Sequence, residues 1–187
     1  MRKVLLLLVV MLGLCSCSKD DDSDTRLVFI GDSMIANWDV ERYFPNRIVE
    51  NRGEDGIGIT EMASLTQPNN EAVAIVLIGT NDLKQSMTEE QIEVYVGQYT
   101  NAIEQLKYRG IVLISILPTS NEAKNQRIVK VNAGIKEALS HKSNIVYVDC
   151  YDAFLRGNVI KEELSREGLH LNDYGYILLT DKVKGRL

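Results

Sequence analysis

After a basic opening, Met1-Arg2-Lys3, the chain runs apolar from Val4 to Leu14 and then turns polar at Ser18-Lys19-Asp20-Asp21-Asp22. Such a run falls well below the roughly 20 apolar residues that a spanning helix needs, so the pattern predicts an export leader and not a membrane span. Ser18 to Thr25 offers nothing to bury and reads as an acidic tether. Beyond it, short apolar runs recur at Leu27 to Ile30, Ile48-Val49, Val73 to Ile78, Ile111 to Leu117 and Ile145 to Val148. They are continuous, not alternating, which is the pattern of strands buried on both faces of a parallel sheet. The second run is the weakest, flanked by Arg47 and by Glu50-Asn51-Arg52.

Between the third and fourth runs, Ile92, Tyr95, Val96, Tyr99, Ile103 and Leu106 fall at a three-and-four spacing and predict a helix within 88–109. Thr88 followed by Gln91 has the form of a capping box, and Gly110 is expected to cap the far end. Ile128, Val131, Ile135, Ala138 and Leu139 predict another helix from about Asn121 to Ser140. The order reads βαβαβαβα. Right-handed crossovers then give an α/β fold, a three-layer α/β/α sandwich around a five-stranded, mainly parallel sheet. One domain is expected over 26–187, with no repeat and no second domain.

The length of 187 residues, less the leader and tether, leaves enough chain for one good core. With 45% hydrophobic and 25% charged residues, a disordered or fibrous chain is excluded. The net charge is −5 and becomes more negative when Arg2 and Lys3 leave with the leader, which argues against nucleic acid as a partner. Leu14-Cys15-Ser16-Cys17 resembles the lipobox of bacterial lipoproteins. The small Ser16 makes Cys17 the expected lipidated residue, with 1–17 as signal peptide, 18–25 as tether, and an outer-membrane or cell-surface location held by a lipid anchor. An ordinary cleaved leader is the blander alternative. Cys150 would be alone in the processed chain, without an internal disulfide, and at the end of an apolar run it reads as packing.

In an open α/β sheet, ligands bind outside the carboxyl ends of the strands, so the residues after each apolar run matter most. There stand Gly31-Asp32-Ser33, Asn51-Arg52-Gly53, Gly79-Thr80-Asn81-Asp82 and Glu167-Gly168-Leu169-His170. Each alone could be turn or cap chemistry. Together they supply a hydroxyl, backbone donors, an amide and an imidazole to one crevice.

These blocks resemble the SGNH (GDSL-like) hydrolase family, with its flavodoxin-like fold, over about Arg26 to Tyr176. Ser33 matches the serine of the GDS block, Gly53 the glycine after the second strand, Asn81 the asparagine of the GTND block and His170 the histidine of the last block. The resemblance implies Ser33 as nucleophile and His170 as base, because a serine hydroxyl needs a neighbour to take its proton. It also implies an oxyanion hole made of the Ser33 and Gly53 N–H groups and the Asn81 amide. The family's aspartate three residues before the histidine is Glu167 here. Glu167 is expected to orient His170; Asp173 or a backbone carbonyl is the alternative. His141, in a polar loop at the opposite end of the sheet, is expected to be solvated.

No cofactor or metal is expected: Glu61 spoils a GxGxxG reading of Gly53, Gly56 and Gly58, and there is no GxxxxGK or HExxH. The implied activity is a serine esterase cleaving small acyl esters through an acyl-enzyme. Short loops favour acetyl groups, with a glycan as the expected carrier. A lysophospholipase or thioesterase using the same residues, or an inactive glycan-binding lipoprotein, are the alternatives.

Overall fold

The structure, a computed structural model, describes residues 25–187. The leader, Cys17 and all of the tether except Thr25 lie outside the described residues. Five strands, β1 (Leu27–Gly31), β2 (Val49–Gly53), β3 (Asn69–Leu77), β4 (Tyr108–Ile114) and β5 (Ile145–Val148), form one sheet in the order β2-β1-β3-β4-β5. Every neighbouring pair is parallel. Crossovers leave in opposite directions from β1 and β3, so the carboxyl ends of these two strands open a crevice.

Alternation along the strands builds two cores. Val28, Ile30, Val76, Ile111 and Leu113 face α3 (Glu89–Glu104) and α4 (Glu122–Leu139). Phe29, Ile75, Leu77, Val112 and Ile114 face the other layer, made of α1 (Ser33–Ala36), α2 (Val40–Tyr43) and α6 (Asp173–Lys184). The expected three layers are therefore present. On the second side Trp38 packs edge-on to Phe29 at 5.2 Å between ring centroids and stacks on Tyr176 at 6.0 Å, while its indole N–H donates to Thr180 Oγ1 at 3.2 Å. A buried aromatic of this kind contributes about 2–3 kcal/mol, and here it fixes α1 and α6 to one another.

The capping box is formed: Gln91 N–H donates to Thr88 Oγ1 at 3.3 Å, and Thr88 N–H donates to Gln91 Oε1 at 2.9 Å. Asn121 caps α4 by accepting from Lys124 N–H at 2.9 Å. Gly110 is not a cap. It lies inside β4 opposite Val73, because burial of the Tyr108 ring recruits 108–110 into the strand and the helix stops at Glu104. The second strand is longer than its two apolar residues suggest. It is an edge strand with one neighbour, so Glu50, Asn51 and Arg52 are tolerated on its partly open sides. The link from β2 to β3 holds only a 3₁₀ turn, Met62–Leu65, where a full helix was expected.

Two small antiparallel hairpins were not legible beforehand. They are β6 (Leu155–Arg156) with β7 (Val159–Ile160), which follow the single turn α5 (Tyr151–Phe154), and β8 (Ser165–Arg166) with β9 (His170–Leu171).

Candidate active site

β1 ends in Gly31, where a Cβ would lie 1.9 Å from the Leu77 carbonyl oxygen, so only glycine lets the chain pass β3 here. Asp32 then caps α1, its Oδ1 accepting from Met34 N–H at 3.0 Å. Ser33 is thereby set at the first position of α1, with its own N–H unpartnered among the described residues. The helix lies hard against β2: a Cβ on Gly53 would fall 2.1 Å from the Ala36 nitrogen.

His170, on β9, brings Nε2 to 3.0 Å from Ser33 Oγ across 137 positions of chain. Its Nδ1 meets the Glu167 carboxylate, which also accepts from His170 N–H at 3.3 Å. Glu167 has φ +43° and Gly168 φ +72°, two successive left-handed residues that curl the longer glutamate back onto the ring. Among the described residues Glu167 is the one non-glycine with positive φ. Its hydrogen bond to His170, above all, holds its carboxyl below the usual carboxylate range, so it stands ionised at neutral pH. Asp173, the other candidate, lies 3.8 Å from an Arg42 guanidinium nitrogen on α2, and its main-chain carbonyl accepts from the Tyr43 hydroxyl at 3.5 Å.

Asn81 follows β3. Its Nδ2 donates to the Ile57 carbonyl at 2.8 Å, which draws the loop after β2 toward the crevice. Asp82 secures the same loop, accepting from Ile59 N–H at 3.0 Å and from the Tyr95 hydroxyl at 2.8 Å. This positioning role was missed in the sequence, although Asp82 closes the same GTND block.

Gly53 does not offer the free N–H expected of it. That group donates to Asn51 Oδ1 at 2.9 Å, and the residue serves the close approach of α1 instead. The glycine in this loop whose N–H has no partner among the described residues is Gly56, at φ +78° with open space where a Cβ would stand.

Asp32 is 1% exposed, and its Oδ2 has no hydrogen-bond partner among the described residues. Burial, the largest influence, pushes its carboxyl up to about 6. Cys150 is wholly buried, its thiol pushed up to about 12 mainly by burial, and it packs in the second core as expected. His141 is exposed in the turn before β5. No cluster of three His, Cys, Asp or Glu side chains suited to a metal occurs among the described residues, and no described helix is long and apolar enough to cross a membrane.

A groove of about 390 Å3 lies between α2 and the β9–α6 turn. Another depression, of about 420 Å3, runs along α4 toward Tyr151 and Asn158, and neither depression is lined by Ser33 or His170.

Comparison with known proteins places this arrangement. The GDSL-like Lipase/Acylhydrolase family matches residues 29–178. A search of curated proteins returned no match. Among solved structures, the chain is similar to a GDSL-like lipase from Bacteroides thetaiotaomicron, with TM-score 0.70 and 20% identity over 86% of this chain and 86% of that one. A member of the lipolytic protein G-D-S-L family from Veillonella parvula gives TM-score 0.68 and 18% identity over 87% and 98%. An acetylxylan esterase from Geobacillus stearothermophilus gives TM-score 0.64 and 16% identity over 85% and 92%. At such identities these likenesses speak to the fold, while the family match takes in every block that carries the site: the chain belongs to the GDSL-like lipase/acylhydrolase family of ester-hydrolysing enzymes.

Proposed function

We propose that the protein is a serine esterase that removes small acyl groups, acetyl foremost, from a carbohydrate through an acyl-enzyme. The observation that carries the reading is the 3.0 Å contact between Ser33 Oγ and His170 Nε2, with Glu167 on the far side of the ring. Ser33 Oγ attacks the ester carbonyl while His170 Nε2 takes its proton, and Glu167 stabilises the imidazolium that results. Negative charge on the former carbonyl oxygen is met by the Ser33 N–H, the second N–H of the Asn81 amide and the Gly56 N–H. Gly56 takes the place first assigned to Gly53, whose N–H is already engaged by Asn51.

Collapse of the tetrahedral adduct expels the alcohol, which receives the proton from His170. Water then attacks the Ser33 ester, again giving its proton to His170, and the carboxylic acid leaves with Ser33 regenerated. The Glu167 carboxylate on His170 supports a catalytic reading over that of an inactive glycan-binding protein.

The small-acyl preference is supported by the short loops around the crevice and by the likeness to the Geobacillus acetylxylan esterase. Attachment to a membrane through lipidated Cys17 belongs to the same proposal and rests on the Ser16-Cys17 motif. A fluorophosphonate probe should label Ser33, and p-nitrophenyl acetate should turn over faster than the octanoate. Faster octanoate hydrolysis would reject the acetyl preference, and an unlabelled Ser33 would reject the mechanism.

A further inference from the structure

The oxyanion donors named above come from two sides of the crevice. The Ser33 N–H belongs to the end of β1, whereas the Asn81 amide belongs to the turn after β3 and the Gly56 N–H to the loop after β2. That loop is fastened at both ends. Glu54 N–H donates to the Gly31 carbonyl at 3.0 Å, while Asn81 Nδ2 donates to the Ile57 carbonyl at 2.8 Å and Ile59 N–H donates to Asp82 Oδ2 at 3.0 Å. Gly56 lies between the fastenings, so its N–H and the Asn81 amide are both placed from the turn 79–82.

That turn is gripped in its own right by α3. The Tyr95 hydroxyl donates to Asp82 Oδ2 at 2.8 Å, and a Cβ on Gly79 would lie 2.9 Å from the same hydroxyl oxygen, so the two ends of the turn close around it. One helical turn further on, the Tyr99 hydroxyl donates to the Ile78 carbonyl at 3.3 Å, with its ring 6.0 Å from that of Tyr95. On its other side the Asp82 carboxylate meets the loop: a Cβ on Gly58 would fall 2.0 Å from Asp82 Oδ1, so only glycine lets the loop lie this close. Tyr95 is buried, and burial above all, followed by the charge of Asp82, pushes its hydroxyl far above the ordinary tyrosine range. It remains protonated and serves as a donor. Any core tyrosine needs some partner for its hydroxyl. The partner here is a carboxylate, a stronger acceptor than a carbonyl, and it stands one residue from Asn81.

We propose that Tyr95 is a positioning residue of the oxyanion hole: through Asp82 it sets the Asn81 amide and the Gly56 N–H opposite the Ser33 N–H, without itself touching the substrate. The inference rests on the esterase reading above and deepens it, since it names what holds the donors in place.

Tyr95→Phe removes the hydroxyl and keeps the ring in the core. On p-nitrophenyl acetate kcat should fall about 10-fold with KM within about 2-fold, because small displacements of preorganised donors act on the transition state more than on the bound ester. Tyr147→Phe, which deletes a hydroxyl bond to the Asn132 carbonyl away from the site, should leave kcat unchanged. Two further backgrounds locate the effect. In Asn81→Ala, where one of the positioned donors is already gone, Tyr95→Phe should cost no more than about 3-fold, and in Glu167→Gln it should keep its about 10-fold cost. Wild-type kcat in Tyr95→Phe, an equal loss in Tyr147→Phe, or the same loss in both backgrounds would overturn the assignment.

If wild type turns over no ester and Ser33 stays unlabelled by the fluorophosphonate, the esterase reading fails by itself, and hydrogen exchange at the Ile59 amide still reads the placement of the loop. Exchange about 10-fold faster in Tyr95→Phe supports the hold of Tyr95 on it through Asp82; equal exchange in the two proteins overturns it.

Discussion

The main-chain N–H of Ser120, in the loop after β4, donates to the Gly168 carbonyl at 2.7 Å. That bond ties the sheet to the turn from which both Glu167 and His170 hang. A Cβ on Gly168 would sit 2.5 Å from Ser120 Cβ, at a φ of +72° that side chains resist. Gly168→Ala should therefore shift the turn, cutting kcat on p-nitrophenyl acetate by about tenfold or more while destabilising the fold by only about 1–2 kcal/mol. Urea unfolding and steady-state kinetics on the same preparation test this, and unchanged kcat would count against the turn as the setting of the pair.

Glu167→Gln keeps the shape of the side chain and removes its charge. The loss in kcat should be about 10²-fold, below the about 10⁴-fold seen when a buried triad aspartate is neutralised, because the Glu167 side chain is 57% exposed and water can partly replace it. A variant as active as wild type on p-nitrophenyl acetate would remove Glu167 from the mechanism.

Asn81 and Gly53 should fail in different ways. Asn81→Ala removes a charge-stabilising donor and should lower kcat by about 10²- to 10³-fold with little change in thermal midpoint beyond the lost Ile57 bond. Gly53→Ala forces a Cβ against the Ala36 nitrogen, so stability should fall by about 2 kcal/mol or more. Melting curves beside kinetics distinguish the two. A fully stable Gly53→Ala would mean that α1 does not need so close an approach.

Asp32 gives the fold a pH dependence of defined sign. Burial raises its carboxyl from 3.8 to about 6, so the folded state holds its proton more tightly than the unfolded chain does. The stability this confers is fully present below about pH 3.8 and is lost as the pH rises through about 6. A shift of that size corresponds to at most about 3 kcal/mol. Asp32→Asn, which can still cap α1, should gain on wild type by up to that amount between those limits. The Glu167 carboxyl, shifted downward, works in the opposite direction but is common to both proteins and cancels. Urea titrations at several pH values measure the difference. A constant gap between the two proteins would show that Asp32 does not titrate in this range.

Most of the sheet was legible because β1, β3 and β4 are buried on both faces along their apolar runs, while β5, the other edge strand with Val146 40% exposed, still carries the unbroken run Ile145 to Val148. β2 was only partly legible: an edge strand is held by main-chain bonds to one neighbour, and its polar side chains carry no periodic signal. The end of α3 was misplaced because glycine is common both after helices and in strands that pass close to a neighbour, and only the burial of Tyr108 decides between them. Ser33, Asn81 and His170 could be read from strand-end motifs. The choice between Glu167 and Asp173 could not, since it depends on two consecutive left-handed residues, and the engagement of Gly53 depends on a side chain two positions earlier.

Three side-chain bonds, Ser33 to His170, Trp38 to Thr180 and Met34 to Tyr176, span 137, 142 and 142 positions and stitch the first crossover to the final helix. A nascent chain thus displays its nucleophile well before the base has been synthesised, and remains chemically silent until the carboxyl-terminal segment is released and docks. Hydrolytic competence should accordingly be the last property regained on refolding, which makes turnover a reporter of complete chain closure.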